Sequence, residues 1–298
     1  MEKPQLSVGV CAYNEAENLK VLIPQILDQK LEKAVLKEIL IVSSGSSDGT
    51  DEIAEGFVSA DPRVRFLREQ KRNGKVSAVN MVLDRARGDI IVLAGADLRL
   101  ENCTLDKMAA RFADEKVGMV GARPIPINDK EELFGFCSHL LWALHHRIAL
   151  SSPKCGELIA IRNNGYAIPQ SIPVDEAYLE WIFKKNGYSL AYADDATVYN
   201  KGPDNFSDYL LQRRRVHAHH MKLRRETGYK VSTTDFFTVL KAFSSTLEPR
   251  PKELFFSVIA IALEGLSFLL GMYDAYVIKD SHHCWAVVNS TKDFDRQK

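Results

Sequence analysis

Leu6–Ala12 (LSVGVCA) followed by Tyr13-Asn14-Glu15 is an apolar run that ends in a polar turn, and the same pattern recurs downstream. An uncharged run of this length reads as a strand buried on both faces. Glu15–Leu27 then places apolar residues at helical spacing. Glu38–Val42 (EILIV) reads as a second strand, Ser43–Gly49 as a glycine-serine turn and Thr50–Val58 as a helix. Arg63–Leu67 is a short third strand, Lys75–Ala86 a helix and Asp89–Ala94 (DIIVLA) a fourth strand. Strands and helices alternating at this spacing predict βαβ units, hence an α/β fold with a mostly parallel, Rossmann-like sheet flanked by helices. Ligands of such sheets sit beyond the carboxyl ends of the strands. That rule singles out three turns: Tyr13-Asn14-Glu15, Ser43-Ser44-Gly45 and Gly95-Ala96-Asp97.

Further along, Gly118–Arg123 and Leu158–Arg162 read as strands, and Phe134–Leu150 as an amphipathic helix carrying Trp142, His145 and His146. Glu176–Asn186 is a helix, Ser189–Tyr192 and Ala196–Tyr199 are short strands, and Asp208–Glu226 is a long basic helix. Pro249 and Pro251 mark the best boundary, dividing a body over 1–248 from a segment over 249–298. The 298 residues hold 39 Lys plus Arg against 39 Asp plus Glu. With no basic excess to neutralise phosphates, nucleic acid is not an expected partner. The five cysteines (Cys11, Cys103, Cys137, Cys155, Cys284) form no CxxC pair, which fits a reducing compartment and argues against a disulfide scaffold or a cysteine zinc site. No signal-peptide pattern precedes the first strand, so a cytoplasmic location is expected.

Four places carry residues suited to chemistry. Ser43–Thr50 (SSGSSDGT) reads either as a tight βα connection with a helix cap or as a turn presenting hydroxyls and N–H groups to a nucleotide. Asp97 follows a strand and two small residues. It reads either as a solvated loop acid or as a ligand for Mg²⁺, which needs only one or two carboxylates when substrate phosphates complete the set. Asp175-Glu176 opens a helix, where the dipole alone favours acids, and one of the two is also placed to act as a general base. Gln212 and Arg215 share a helix face at i, i+3, a fork-shaped donor set suited to a diphosphate. His217 and His220 have the same spacing, but no matching acid or cysteine stands nearby, so a metal is not expected there.

Taken in order, these stretches resemble the family-2 glycosyltransferases, inverting enzymes of the GT-A fold that use nucleotide-diphosphate sugars. Ala12-Tyr13-Asn14-Glu15-Ala16-Glu17-Asn18-Leu19 is similar to the family's first motif, whose loop contacts the nucleobase. Ile41–Thr50 resembles the second nucleotide-binding turn, and Asn73-Gly74-Lys75 with Ala78 and Asn80 the stretch before the metal motif. Gly95-Ala96-Asp97 resembles the DxD metal motif, Asp175-Glu176-Ala177-Tyr178-Leu179 the catalytic-base region, and Gln212-Arg213-Arg214-Arg215-Val216 the QxxRW motif. The likeness runs from Leu6 to Arg225, about three-quarters of the chain. It implies a GT-A catalytic domain over 1–248 and donor contacts at Ala12, Tyr13, Asn14, Glu15, Ser44, Lys75, Asp97, Gln212 and Arg215. It implies Mg²⁺ or Mn²⁺ at Asp97, and a base at Glu176, with Asp175 as second choice. The chain departs from the family at four points: Ser43-Ser44 stand for an Asp pair, Gly95 for the first Asp of DxD, Asp-Glu for Glu-Asp, and Val216 for Trp. The implied reaction moves a sugar from a nucleotide-diphosphate donor to a glycan or lipid-linked acceptor. A binding module without catalysis and a nucleotidyltransferase are the alternatives. The glycine-rich, lysine-containing loop of the latter is absent from Leu6–Leu19.

Leu254–Tyr273 (LFFSVIAIALEGLSFLLGMY) is 20 residues with the single charge Glu264. At ~1.5 Å per residue it spans ~30 Å, about a bilayer core. Its Leu, Ile, Val and Phe residues contribute roughly −3 to −7 kcal/mol to insertion and the central acid opposes with about 2.5–3.5 kcal/mol. A spanning helix, a helix lying in the interface and a helix packed on the body all remain open. Contact through 254–273 would place the protein at the cytoplasmic face of a membrane, with the tail 274–298, including Trp285, in water.

Overall fold

A computed structural model describes residues 2–246, 250–278, 288–292 and 294. Pro249, Cys284 and Trp285 lie outside the described residues, as does the junction at 247–249. The chain builds a first half of strictly alternating units: β1 (Gln5–Ala12), α1 (Ala16–Leu27), β2 (Val35–Ser44), α2 (Thr50–Ala60), β3 (Val64–Glu69), α3 (Lys75–Arg85) and β4 (Ile90–Gly95). The second half holds β5 (Arg99–Leu100), α4 (Thr104–Ala110), β6 (Val117–Pro126), α5 (Leu133–Ala149), β7 (Ile159–Arg162), α6 (Asp175–Lys185) and β8 (Ser189–Asn200). The helices α7 (Phe206–Thr227), α8 (Phe236–Thr246) and α9 (Pro251–Tyr273) follow.

The strands form one sheet in the order β3-β2-β1-β4-β7-β6-β8-β5. Pairing is parallel from β3 through β4, as the βαβ reading predicts. Beyond β4 the sheet is mixed: β7 runs antiparallel to both β4 and β6, β8 is parallel to β6, and β5 is antiparallel to β8. Because side chains alternate along a strand, each central strand feeds two cores. Leu6, Val8 and Val10 of β1, with Ile39 and Ile41 of β2, meet Leu19, Leu22 and Ile23 of α1 on one face. Leu40 and Val42, with Ile91 and Leu93 of β4, meet Val79 and Val82 of α3 and Phe183 of α6 on the other. Gly9 points to this second face because α3 comes so close. A Cβ there would lie 2.3 Å from a Val82 methyl carbon. A third, smaller core of Cys137, Tyr209, Ala260 and Leu263 ties α5, α7 and α9 together. The chain reverses after β4 in this way, and the ends of β1, β2 and β4 and the starts of β7 and α6 therefore open on one side of the sheet.

Candidate functional site

The first two turns expected to form a site are one hydrogen-bonded unit. Asn14 takes the left-handed conformation at φ 53°. Its N–H donates to Ser46 Oγ at 3.1 Å, and its side-chain oxygen accepts from Ser47 N–H at 2.8 Å. Glu15 N–H donates to Thr50 Oγ1 at 2.8 Å and Ala16 N–H to Asp48 at 3.2 Å. The N-cap of α2 is Gly49, not a serine, and Ser46, Ser47 and Asp48 instead brace the β1–α1 turn. Ser43 and Ser44, which replace an acid pair, are buried and hand their hydroxyl protons to carboxylates from elsewhere. Ser43 bonds Asp51 at 2.5 Å and Ser44 bonds Glu69. The Arg72 guanidinium lies 4.2 Å from the centroid of the Tyr13 ring.

Lys75 opens α3 after Gly74, whose φ of 90° suits glycine. The structure sets its ammonium against the expected base rather than in open solvent. Nζ is 2.5 Å from Glu176 Oε1 and 3.1 Å from Asp175 Oδ2 at the start of α6. The two acids respond in opposite directions. Burial and the neighbouring Glu176 push Asp175 up to about 7, although Lys75 opposes this. Burial would also raise Glu176, but Lys75 and the hydrogen bonds outweigh it and hold Glu176 below the usual carboxylate range. Glu176 is therefore the carboxylate that Lys75 holds ionised, and Asp175 is the one that binds its proton more tightly.

Asp97 follows β4 beside the site. Glu157, at the start of β7, adopts φ 59°, and burial followed by the charge of Asp97 pushes its carboxyl up to about 7. Burial and Asp97 raise Glu15 as well. Arg215 of α7 faces the same group: burial depresses it, while Glu176, Asp97 and Glu157 favour its charged form. Among the described residues, no three His, Cys, Asp or Glu side chains converge as a closed metal site. A hard cation held by a carboxylate and two phosphate oxygens does not need one. Asp97 and the Glu157 carboxyl that it repels offer oxygen donors of the kind that Mg²⁺ or Mn²⁺ brought in with a diphosphate would take.

These residues line a single cavity of about 1230 Å³, together with Ala12, Tyr13, Glu15, Ser44 and Gln212. Pockets for one small ligand run to roughly 300–1,000 Å³, so this one has room for two substrates. Its far end is apolar, walled by Leu140, Leu141 and Trp142 of α5, Phe236 and Leu240 of α8 and Phe268 of α9. Asn14 is not among the cavity-lining residues, and its side chain is spent on the second turn. The arginine cluster divides its work. Gln212, Arg213 and Arg215 line the cavity, and Arg214 does not. Arg213 makes a bidentate pair with Glu264 of α9 at 2.7 and 2.8 Å, and Glu264 also accepts from Tyr209 at 2.7 Å. Arg214 grips Asp274 with two bonds of 2.5 Å. His217 Nε2 stands 3.2 Å from Glu264 Oε2, so α9 brings to this histidine an acid that the spacing within α7 did not show.

Sequence reasoning missed Glu157, Arg72, Trp142 and Lys292, all on the cavity wall. For Glu157 the signal was hidden by strand direction. The carboxyl-end rule points past Arg162, but β7 runs backward against β4, so its beginning sits by Asp97.

Comparisons with known proteins agree with this geometry. A poly-beta-1,6-N-acetyl-D-glucosamine synthase of Staphylococcus aureus (strain COL) is 26% identical over 261 residues, covering 80% of this chain and 60% of that protein. Glycosyltransferase AglE of Haloferax volcanii is 30% identical over 118 residues, 40% of this chain and 38% of that one. This chain thus spans about 60% of the length of the synthase relatives it matches. Among solved structures, the mannosyltransferase PcManGT from Pyrobaculum calidifontis, in complex with GDP-Man and Mn²⁺, superposes with a TM-score of 0.65 at 19% identity, over 94% of this chain and 89% of that one. Residues 1–349 of S. aureus TarS give a TM-score of 0.50 at 16% identity, over 89% and 81%. The fold is therefore GT-A. The profile of glycosyl transferase family 2 matches residues 7–164, more than half of the chain, and the protein belongs to that family.

Proposed function

We propose that this protein transfers a sugar from a nucleoside-diphosphate donor to an acceptor hydroxyl by a single displacement with inversion. The observation that carries the reading is that one cavity holds an ionised carboxylate, Glu176, together with Asp97 and Arg215. In this reading Glu176 takes the acceptor's proton as the acceptor oxygen forms its bond to the anomeric carbon. The bond from that carbon to the phosphate oxygen breaks on the opposite face, and the electron pair leaves with the nucleoside diphosphate. Arg215, and to a lesser degree Gln212, meet the negative charge that grows there, which is where preorganised donors lower a barrier most. Asp97, with Glu157 beside it, would hold Mg²⁺ or Mn²⁺, which when bound neutralises the diphosphate. The braced Tyr13–Glu15 and Ser43–Thr50 turns receive the nucleoside. Lys75 joins the diphosphate only by leaving Glu176.

Leu140, Leu141, Leu144 and Phe268 on the cavity wall, with the exposed apolar face of α9, support a lipid-linked acceptor, while Ser138, His145, His219 and Thr234 on the same wall supply polar partners for its sugar. The helix from Pro251 to Ile278 is long and apolar enough to cross a membrane. Its inner face, however, is fixed to α7 through Glu264 and Asp274. It exposes Phe255, Val258, Ile261 and Leu269, and α8 exposes Phe236 and Phe237. This supports a helix lying along the body with its apolar side in the membrane interface, rather than a spanning one. The test is a panel of nucleotide sugars with Mn²⁺ or Mg²⁺ and either free oligosaccharides or lipid-linked acceptors in vesicles, read by diphosphate release and by the anomeric configuration of the product. Turnover with inverted product supports the proposal. Donor binding without turnover on every acceptor overturns it in favour of a binding module, and turnover on free oligosaccharides alone overturns the lipid-linked reading.

A further inference from the structure

Val288, Thr291 and Lys292 line the cavity, and no step above uses them. Val288 and Thr291 are buried. Ser290 anchors this stretch to the first turn of α7: its N–H and hydroxyl both reach Asp208 Oδ2, at 3.2 and 2.5 Å. Lys292 then extends to the β1–α1 turn. Its ammonium donates to the carbonyl of Tyr13 and, at 3.0 Å, to that of Asn14. It also pairs with Glu15 Oε1 at 2.7 Å. Asn18 returns a bond to the Lys292 carbonyl at 2.9 Å. Arg99, which donates to Asn18 Oδ1 at 2.8 Å, lies 4.2 Å from the centroid of the Phe294 ring.

The convergence is specific. Two successive carbonyls of a turn that holds Asn14 at φ 53° both accept from one ammonium, and a non-glycine residue in that region costs energy that its surroundings must offset. The neighbouring carboxylate completes the three acceptors an ammonium can satisfy. The group so placed is saturated, so it acts on the turn rather than on a ligand directly. We propose that Lys292 is a positioning residue for the donor, locking the Tyr13–Glu15 turn in the shape that receives the nucleoside. This rests on reading the cavity as a nucleotide-sugar site. It makes a segment far along the chain, with no motif of its own, part of the donor pocket.

The test uses the full chain with Lys292→Ala, Lys292→Met and Lys292→Arg, titrated with uridine and guanosine diphosphates, each with Mn²⁺, by calorimetry, alongside kcat and donor KM. Lys292→Ala and Lys292→Met are expected to weaken diphosphate binding and raise donor KM about tenfold, while kcat changes less than about threefold. Tenfold corresponds to about 1.4 kcal/mol. Lys292→Arg restores most of the loss, and acceptor KM stays put. Unchanged binding overturns the inference. So does tighter binding, which would make the segment a competitor of the donor, and so does a fall in kcat larger than the rise in KM. If neither diphosphate binds the unaltered chain, the donor reading itself fails and this inference falls with it. Binding by the unaltered chain that the variants leave intact defeats this inference alone.

Discussion

Replacing Lys75 with methionine keeps the stem and removes the charge that sits on Glu176. The ammonium is 2.5 Å from Glu176 Oε1, but half of the Lys75 side chain is in contact with solvent. Two unit charges about 4 Å apart attract by ~1 kcal/mol in water and ~4 kcal/mol at a dielectric near 20. A half-exposed pair falls between, at about 1.5–3 kcal/mol once solvent screening is allowed for. One pH unit is about 1.36 kcal/mol, so the ionisation of Glu176 is expected to move by roughly 1–2 units. Lys75 favours the anion, and its loss therefore raises the pKa. Transfer needs the anion, so the acidic limb of the rate profile moves to higher pH. The assay is the initial rate of diphosphate release across the pH range, fitted separately for kcat/KM and kcat. The first reports the enzyme before substrate binds and the second the complex. If the donor diphosphate draws Lys75 away, only the kcat/KM limb of the unaltered enzyme reflects the ion pair, and the variant shifts that limb alone. An acidic limb of kcat/KM that stays in place, or moves to lower pH, refutes the assignment of Glu176 as a base held ionised by Lys75.

Other outcomes are expected from the same structure. Asp97→Ala and Glu176→Gln each abolish sugar transfer while leaving the circular dichroism spectrum and the melting temperature close to those of the unaltered protein, and full activity in both would defeat the site. Arg213→Met strands the Glu264 carboxylate between α7 and α9. Breaking a fully buried pair costs about 3–5 kcal/mol, and this one is a fifth to a quarter exposed, so a loss of about 2–3 kcal/mol and a melting point lower by roughly 4–10 °C are expected by calorimetry. Burial would raise Glu38, but the Arg65 guanidinium, the Ser7 hydroxyl and the Arg87 N–H outweigh it and lower it from 4.5. Its contribution to stability is therefore present at neutral pH and is lost as pH falls below about 4.5. Denaturant titrations are expected to show Glu38→Gln less stable than the unaltered protein at pH 7, with the gap closing in acid.

The parallel half of the sheet was legible in the sequence because its strands are apolar on both faces and its helices keep their period. The expected and observed limits of β1 to β4 differ by at most three residues. The second half was harder for identifiable reasons. Ser189–Tyr192 and Ala196–Tyr199 read as two strands, yet they are one, β8. The register jumps from Ala193 to Thr197 against β6, so Asp194 and Asp195 swell outward to meet Arg111. Polar residues that look like a turn are a bulge. β5 is two residues long, and α8 has an exposed apolar face that no periodicity argument assigns to a partner. Within the site, the matching motifs named residues that the structure gathers on one cavity wall, Asn14 excepted. What spacing could not show was pairing: that Lys75 lies on Glu176, that the acids near Ser43 and Ser44 come from α2 and β3, and that Arg213 and Arg214 are paired with Glu264 and Asp274.

Gln212 to Arg215 occupy about one turn of a single helix, and that short span has two employers. Two adjacent guanidinium groups moor the outermost apolar rod, while the next one along lines the cavity. A helical turn is stiff and offers no slack between neighbours. Whatever pushes or tilts the moored rod is consequently felt at Arg215, so footing and grip in this protein belong to one crossbeam.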